Sequence, residues 1–238
     1  MDELEKLIAD YKPSQTATEL VKQTKIVLLA GISGAGKDSI KQELLKQTDF
    51  CDIVSHTTRA PRNNNIISEI PDVDYHFIDQ PTALGMIKEQ QYIEVKIIHD
   101  EAIYGTSVSE LKKVHDANKI AITDIDVQGV DEYESISKDV VAIFILPPNY
   151  DVWYQRIQNR YASINEFDTE WPRRRTSAIK ELGRALEVPY YHFVINNDLE
   201  GAVKIVDSIA HESSDYYKDD EARQVARLLL LALVDIEC

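Results

Sequence analysis

The chain has 238 residues, 44% of them hydrophobic and 28% charged, and a formal net charge of −15. That length suffices for one full α/β domain with modest additions at its ends. The acidic balance argues against a nucleic-acid-binding surface, and any site for anionic substrates must work through local arginine placement.

No basic start followed by an apolar stretch opens the chain, so no secretory signal is expected. Leu4, Leu7, Ile8 and Tyr11 fall at helical spacing and predict a short amphipathic helix over 2–12. Pro13 and the Ser/Thr-rich residues after it read as a connector, so that 1–24 forms a leading extension. Ile26 to Ala30 is a continuous apolar run, as expected of a strand covered on both faces. Similar runs recur at Ile120–Thr123, Val140–Leu146 and Phe193–Ile195, with helical patterns between them at 107–117, 149–160 and 173–186. Strands alternating with helices predict an α/β fold with a mainly parallel sheet flanked by helices.

Between about 52 and 106 the texture changes. Short polar and aromatic stretches with Pro61, Pro71 and Pro81 suggest an inserted, partly β subdomain. Leu199, Ala202, Val203, Val206 and Ile209 predict the helix that closes the main domain, near 210. Residues 211–238 then comprise an acidic linker over Glu212–Glu221 and an apolar helix over 222–234, which is apolar almost all round and must be buried, on its own domain or in a dimer. The longest apolar run, Leu228 to Val234, is about a third of a bilayer-spanning helix. Cys51 and Cys238 stand far apart in no metal-ligand spacing and read as reduced thiols. A cytoplasmic protein, monomer or homodimer, with no membrane and no nucleic-acid partner is expected.

Gly31-Ile32-Ser33-Gly34-Ala35-Gly36-Lys37 follows the first buried strand directly and precedes a helix beginning near Asp38. This is the strand–loop–helix setting of a phosphate-binding loop. Its glycines let main-chain N–H groups turn inward around a phosphate, and the helix N-terminus adds partial positive charge. Lys37 would bridge the β and γ phosphates of ATP. The position after the lysine, usually Ser or Thr for Mg²⁺, is Asp38, followed by Ser39; a carboxylate is a competent hard-oxygen ligand but adds negative charge beside the phosphates.

The insert carries a second signal. Ser55-His56-Thr57-Thr58-Arg59-Ala60-Pro61-Arg62 places two guanidinium forks three residues apart, which suits a phosphate monoester. Asp74-Tyr75-His76-Phe77, Tyr92-Ile93-Glu94, Tyr104-Gly105-Thr106-Ser107 and Asp124-Ile125-Asp126-Val127-Gln128-Gly129 follow in order. From about Lys25 to Ile209 these segments together resemble the guanylate kinase family. His56, His76 and His99 show no ligand spacing and read as structural or surface residues.

The resemblance implies a P-loop nucleoside-monophosphate kinase fold over 25–210, with a GMP-binding insert near 52–106 and a helical lid near 156–176. ATP would lie on Gly31, Ser33, Gly34, Ala35, Gly36, Lys37, Asp38 and Ser39, with Asn196 near the adenine. Arg59, Arg62, Tyr75 and Tyr104 match the clamp on the GMP phosphate. Glu94 matches the carboxylate that accepts from the guanine N1–H and amine, a donor pair adenine lacks, and Ser55 and Thr106 match hydroxyl partners of the base. Asp124 and Asp126 match the positions that hold magnesium and orient the acceptor, with Asp38 a third candidate ligand. Lys37, Arg156, Arg160 and Arg174 would stabilise the transferred charge. Packing of the insert's core is the bland alternative for the two tyrosines, and a solvated face for Glu94 and for any single lid arginine.

Two departures adjoin the acceptor: a longer turn between Arg62 and Tyr75, through Asn63-Asn64-Asn65, and one extra residue between Glu94 and Tyr104. The implied activity is transfer of the γ-phosphoryl group of ATP to GMP, and to dGMP, with Mg²⁺. Ribose 1,5-bisphosphate phosphokinases share the Gly-Lys-Asp-Ser run at Gly36–Ser39, and non-catalytic guanylate-kinase-like interaction modules form the rival of another class. Arg59/Arg62 and Tyr104–Ser107 speak against the first, Lys37 and Asp124 against the second.

Overall fold

The structure is a computed structural model, and it describes residues 3–62, 68–98, 102–211 and 219–235. In chain order its elements are α1 (Glu3–Ala9), α2 (Gln15–Gln23), β1 (Ile26–Ala30), α3 (Lys37–Leu44), β2 (Phe50–Asp52), β3 (His56–Thr57), β4 (His76–Phe77), α4 (Gln80–Lys88), β5 (Tyr92–Ile98), β6 (Ala102–Ser107) and α5 (Val108–Asp116). Then come β7 (Ile120–Asp124), α6 (Val127–Ile136), β8 (Val141–Leu146), α7 (Tyr150–Gln158), α8 (Ile164–Glu187), β9 (Tyr191–Ile195), α9 (Leu199–His211) and α10 (Asp220–Asp235). The expected α/β fold with its mainly parallel strands is borne out.

The chain divides into two compact units, one of Met1–Ile26, Asp49–Thr123 and Asp131–Val140, the other of Val27–Thr48, Asp124–Val130 and Val141–Cys238. In the first, β2 and β7 pair in parallel, and a four-stranded sheet runs in the order β4-β3-β6-β5. Its β3–β6 and β5–β6 pairs are antiparallel. Ala83, Ile87, Tyr92, Val95 and Ile103 form a small core on which Leu4, Leu7, Ile8 and Tyr11 of the leading segment pack.

One local expectation in this unit needs correction. Residues after Pro13 are a helix, α2, not a connector: the Ser14 side chain caps it by accepting from Ala17 N–H at 3.2 Å, and Ala17, Leu20 and Val21 are buried. The expected partly β insert holds its sheet and, in addition, a helix, α4. Asp79 caps it, accepting from Thr82 N–H at 2.9 Å, and Pro81 sits in its first turn, where its missing N–H costs nothing.

In the second unit β1, β8 and β9 pair in parallel, and β1 is buried along its whole length. Helix α8 starts at Ile164 rather than near 173 and runs through Pro172. Ser163 caps it through Glu166 N–H at 3.3 Å, and stacking of Phe167 and Trp171 on Tyr154 and Trp153 offsets the main-chain bond the proline removes.

Helix α10 is not buried all round, as its composition suggested. Ala222, Ala226, Leu229 and Leu233 are buried, whereas Leu228, Leu231 and Val234 stay more than half or half exposed, because one stripe alone is covered. Arg175 ties down this helix by donating to Leu233 O. Asp219, within the stretch read as a linker, is structured and binds Phe193 N–H and Arg223. Residues 212–218, Asn63–Asn65, His99 and Cys238 lie outside the described residues; Cys51 is a free thiol. Among the described residues no helix is long and apolar enough to cross a membrane.

Candidate active site

The glycine-rich loop Gly31–Lys37 lies wholly in the second unit. Gly31, Gly34 and Gly36 take φ of 138°, 83° and 98°, values that L side chains rarely adopt. A Cβ at Gly31 would collide with Ile145 O, and one at Gly36 with Asn196 Nδ2. Ala35 is buried, and its N–H turns back to Ile32 O at 3.1 Å. Lys37 opens α3 and curls over the loop, donating from Nζ to Gly31 O at 2.6 Å. Asp38 and Ser39 stand exposed in the first turn.

Three arginines and an asparagine ring the loop. Arg160 and Arg174 both donate to Ser33 Oγ, at 3.2 and 3.4 Å, and Tyr161 OH accepts from Arg174 Nε at 3.0 Å. Arg156 donates to Asn196 O at 3.1 Å, and its other terminal nitrogen, buried, has no partner among the described residues. The Asn196 amide donates to Ala35 O at 2.9 Å, so the side chain braces the loop itself. Thus α7, the turn that follows it and α8 bring Arg156, Arg160 and Arg174, spread over nineteen positions of sequence, to one loop.

Sequence reasoning missed three residues here. Lys41, one turn after Lys37, is buried and ion-pairs with Asp124 at 2.9 Å. Burial would raise the Asp124 carboxyl, but Lys41, with Lys37 behind it, holds it below the ordinary range. Glu181, seven residues past Arg174 on α8, lies near Lys37, Asp126 and Arg174; burial pushes its carboxyl up to about 7, against the pull of Lys37. Trp153 fixes the loop by donating from Nε1 to Ser33 O at 2.7 Å. Asp126 accepts from Gly129 N–H at 2.7 Å and so caps the turn into α6.

The residues that the resemblance matched to the acceptor lie in the first unit. Arg59 is fully engaged: Nε donates to Tyr104 OH at 2.8 Å, and the two terminal nitrogens donate to Glu69 Oε2 and Oε1, both at 2.8 Å. Its guanidinium also lies over the rings of Tyr75 and Phe77, 5.5 and 5.8 Å from their centroids. Burial alone would lower the Arg59 pKa, but the bonds to Glu69 and Tyr104 outweigh it and raise it. Tyr75 packs edge-on against Tyr104 at 5.9 Å. Glu69, a fourth missed residue, also accepts from Arg62 N–H at 2.6 Å, while the Arg62 side chain is exposed. A lone carboxylate seven residues past an arginine pair was the one available sequence signal.

Glu94 is buried at 5% exposure, and its Oε1 accepts from Thr106 N–H at 2.9 Å; it is not a solvated surface charge. Tyr133, fully buried, lies beside Thr106 and Glu94, and burial first, then the Glu94 charge, push its phenol up. Ser55 is half-buried, and its main-chain O accepts from His76 N–H at 2.9 Å. His56 and His76 stack at 4.6 Å, and His76 meets Asp72 at 2.7 Å and Glu110 at 3.3 Å. Among the described residues no group of three or more His, Cys, Asp or Glu forms a metal cage.

Residues 23–213 match the guanylate kinase family. The guanylate kinase of Clostridium perfringens (strain SM101 / Type A) is 35% identical over 185 residues, covering 77% of this chain and 81% of that protein. The guanylate kinase of Legionella pneumophila (strain Lens) is 33% identical over 185 residues, covering 77% and 84%. Guanylate kinase 1 of Oryza sativa subsp. japonica is 30% identical over 201 residues, but this chain spans only 50% of its length. Among solved structures, the guanylate kinase from Anaplasma phagocytophilum superposes with a TM-score of 0.59 over 82% of this chain and 88% of that one, at 24% identity, a likeness of fold. The family match spans well over half of the chain, and two of these relatives are more than 30% identical over most of their own length: the chain belongs to the guanylate kinase family.

Proposed function

We propose that this chain is an ATP:GMP phosphotransferase, moving the γ-phosphoryl group of ATP to GMP, and to dGMP, to give ADP and GDP. The observation that carries the reading is the buried Glu94 carboxylate held on Thr106 N–H, in the same unit as the Arg59–Tyr104–Tyr75 cluster. A buried carboxylate selects a base with two adjacent donors, because adenine would leave it unpaired. A guanidinium held by aromatic rings and the Tyr104 hydroxyl suits a phosphate dianion, for which its terminal nitrogens would exchange the Glu69 carboxylate.

In the reaction a GMP phosphate oxygen forms a bond to the γ-phosphorus as the bond to the β–γ bridging oxygen breaks, and ADP departs. The attacking oxygen is already anionic near neutral pH, so no strong general base is needed. The chain's task is to align two repelling anions and cancel their charge. Lys37 swings from Gly31 O to the phosphates, main-chain N–H groups of residues 33–37 hold the β-phosphate, and Arg156, Arg160 and Arg174 exchange their contacts at Ser33 and Asn196 for the transferred group.

The donor set suits magnesium, which keeps several waters and takes one or two carboxylates together with substrate phosphates. Asp126 and Asp124 would hold it, with Asp38 reachable from the first turn of α3, and the ion would supply charge neutralisation at the β- and γ-phosphates. A cytoplasmic setting goes with this use of nucleotide pools. The test is GDP formation followed by chromatography in purified protein with Mg²⁺, ATP and GMP. GDP should form with the intact chain and be lost in Lys37→Ala; no GDP from either overturns the reading.

A further inference from the structure

The leading segment before residue 23 falls outside the family match, yet it is built into the acceptor unit. Helix α1 lays Leu4, Leu7 and Ile8 on the core beneath β5, and Tyr11 follows with a polar contact. Its hydroxyl donates to Tyr92 O at 2.5 Å and accepts from Tyr92 N–H at 3.1 Å. One phenol thus engages both main-chain groups of a single residue. Strand β5 is the edge of its sheet, so here the phenol gives Tyr92 the partners another strand would supply.

The position of this contact matters because the ladder is irregular there. Tyr92 lies opposite Ser107 and Glu94 opposite Thr106, so the β5 strand carries one extra residue, Ile93, between them. A bulge of this kind re-aims side chains and weakens local pairing. One flank of the bulge is Tyr92, held by Tyr11; the other is Glu94, whose carboxylate reaches Thr106 N–H. Burial pushes the Tyr11 phenol up to about 12, so it remains a donor throughout the working pH range.

We propose that Tyr11 is a positioning residue for base recognition: by pinning the main chain of Tyr92 it fixes the bulge that sets the Glu94 carboxylate, and so sharpens the preference for guanine without touching the nucleotide. This rests on the reading of Glu94 as the guanine acceptor. The leading segment is then part of the acceptor site's precision.

Tyr11→Phe in the full chain removes the hydroxyl and keeps the ring. The expected result is a KM for GMP raised about tenfold, a KM for ATP within about twofold, and a GMP-over-AMP preference in kcat/KM lowered about tenfold, from the loss of two hydrogen bonds at the bulge. Ile8→Ala, which loosens the same helix and leaves the hydroxyl, should lower the melting temperature without moving that preference. An unchanged KM for GMP in Tyr11→Phe, or KM values for GMP and ATP rising together, overturns the proposal. Hydrogen exchange in the unaltered chain gives an independent check: the Tyr92 amide should be protected, and fast exchange there overturns the proposal whatever the variant does. If the unaltered chain does not phosphorylate GMP, the functional reading falls and takes this one with it; if it does and the variant behaves identically, this one falls alone.

Discussion

In the unit built on β1, β8 and β9, the groups proposed to bind phosphate are set by main chain: Gly31, Gly34 and Gly36 hold positive φ within six residues of one another. In the unit built on the four-stranded sheet they are set by side chains that grip one another, Arg59 held by Glu69 ten residues away and Tyr104 forty-five residues away. A contiguous loop can be recognised by pattern and tolerates change around it. A side-chain network cannot be recognised by spacing, and every member shares in the position of the others.

Removing a charge from the first kind of site should break chemistry and little else. Lys37→Ala should lower kcat about 10³-fold, the scale of a lost charge-stabilising group, with little change in melting temperature, since among the described residues Lys37 donates to the loop carbonyl of Gly31 alone. Steady-state kinetics beside a thermal melt checks both halves, and activity within tenfold of normal would contradict the role.

In the second kind of site function and stability should fall together. Arg59→Ala should raise the KM for GMP about 10²-fold and also cost about 2 kcal/mol of stability, because Glu69 is left poorly solvated at 10% side-chain exposure without its partner. Glu69→Gln should have the smaller effect, about tenfold in KM for GMP, because Tyr104 and the rings still hold the guanidinium. A urea titration of each variant separates the two contributions.

The remaining effects are smaller still. Lys41→Met leaves the Asp124 carboxylate without its ion pair and should cost about 1–2 kcal/mol at neutral pH, read by denaturant unfolding. His56 is held neutral, its pKa lowered to about 4 first by burial and then by His76, with Glu110 and Asp72 opposing and Lys113 assisting. The unfolded chain therefore binds more protons than the folded one between about pH 6.5 and 4, so stability falls as pH drops through that window. After discounting for its partial exposure, His56→Asn should flatten the slope by about 1 kcal/mol.

The same contrast decides what could be read from sequence. The apolar runs of β1, β7, β8 and β9 and the loop at Gly31–Lys37 were legible because each is one continuous segment with a single period or motif. Arg156, Arg160 and Arg174 were legible by resemblance, but not the way α8 runs unbroken through Pro172, which depends on aromatic stacking against α7. Helices α2 and α4 escaped because Pro13 with the Ser/Thr-rich run after it, and Pro81, read as breaks, whereas Ser14 caps α2 and Pro81 lies in the first turn of α4. Lys41, Glu181 and Tyr133 escaped because nothing in sequence marks a lysine, carboxylate or tyrosine that the fold carries to an existing site, and Glu69 offered only its spacing from the arginine pair. Helix α10 looked wholly apolar, and only its contacts show which stripe is covered.

Guanine recognition by a buried carboxylate is the claim on which most of this depends, and acceptor discrimination tests it most directly. With Mg²⁺ and ATP fixed, ADP release should be compared for GMP, AMP, CMP, UMP and ribose 1,5-bisphosphate. GMP should exceed every other acceptor by at least about 10²-fold in kcat/KM, the discrimination expected when a buried acceptor is left unpaired. AMP used as well as GMP, or ribose 1,5-bisphosphate used better, would contradict it.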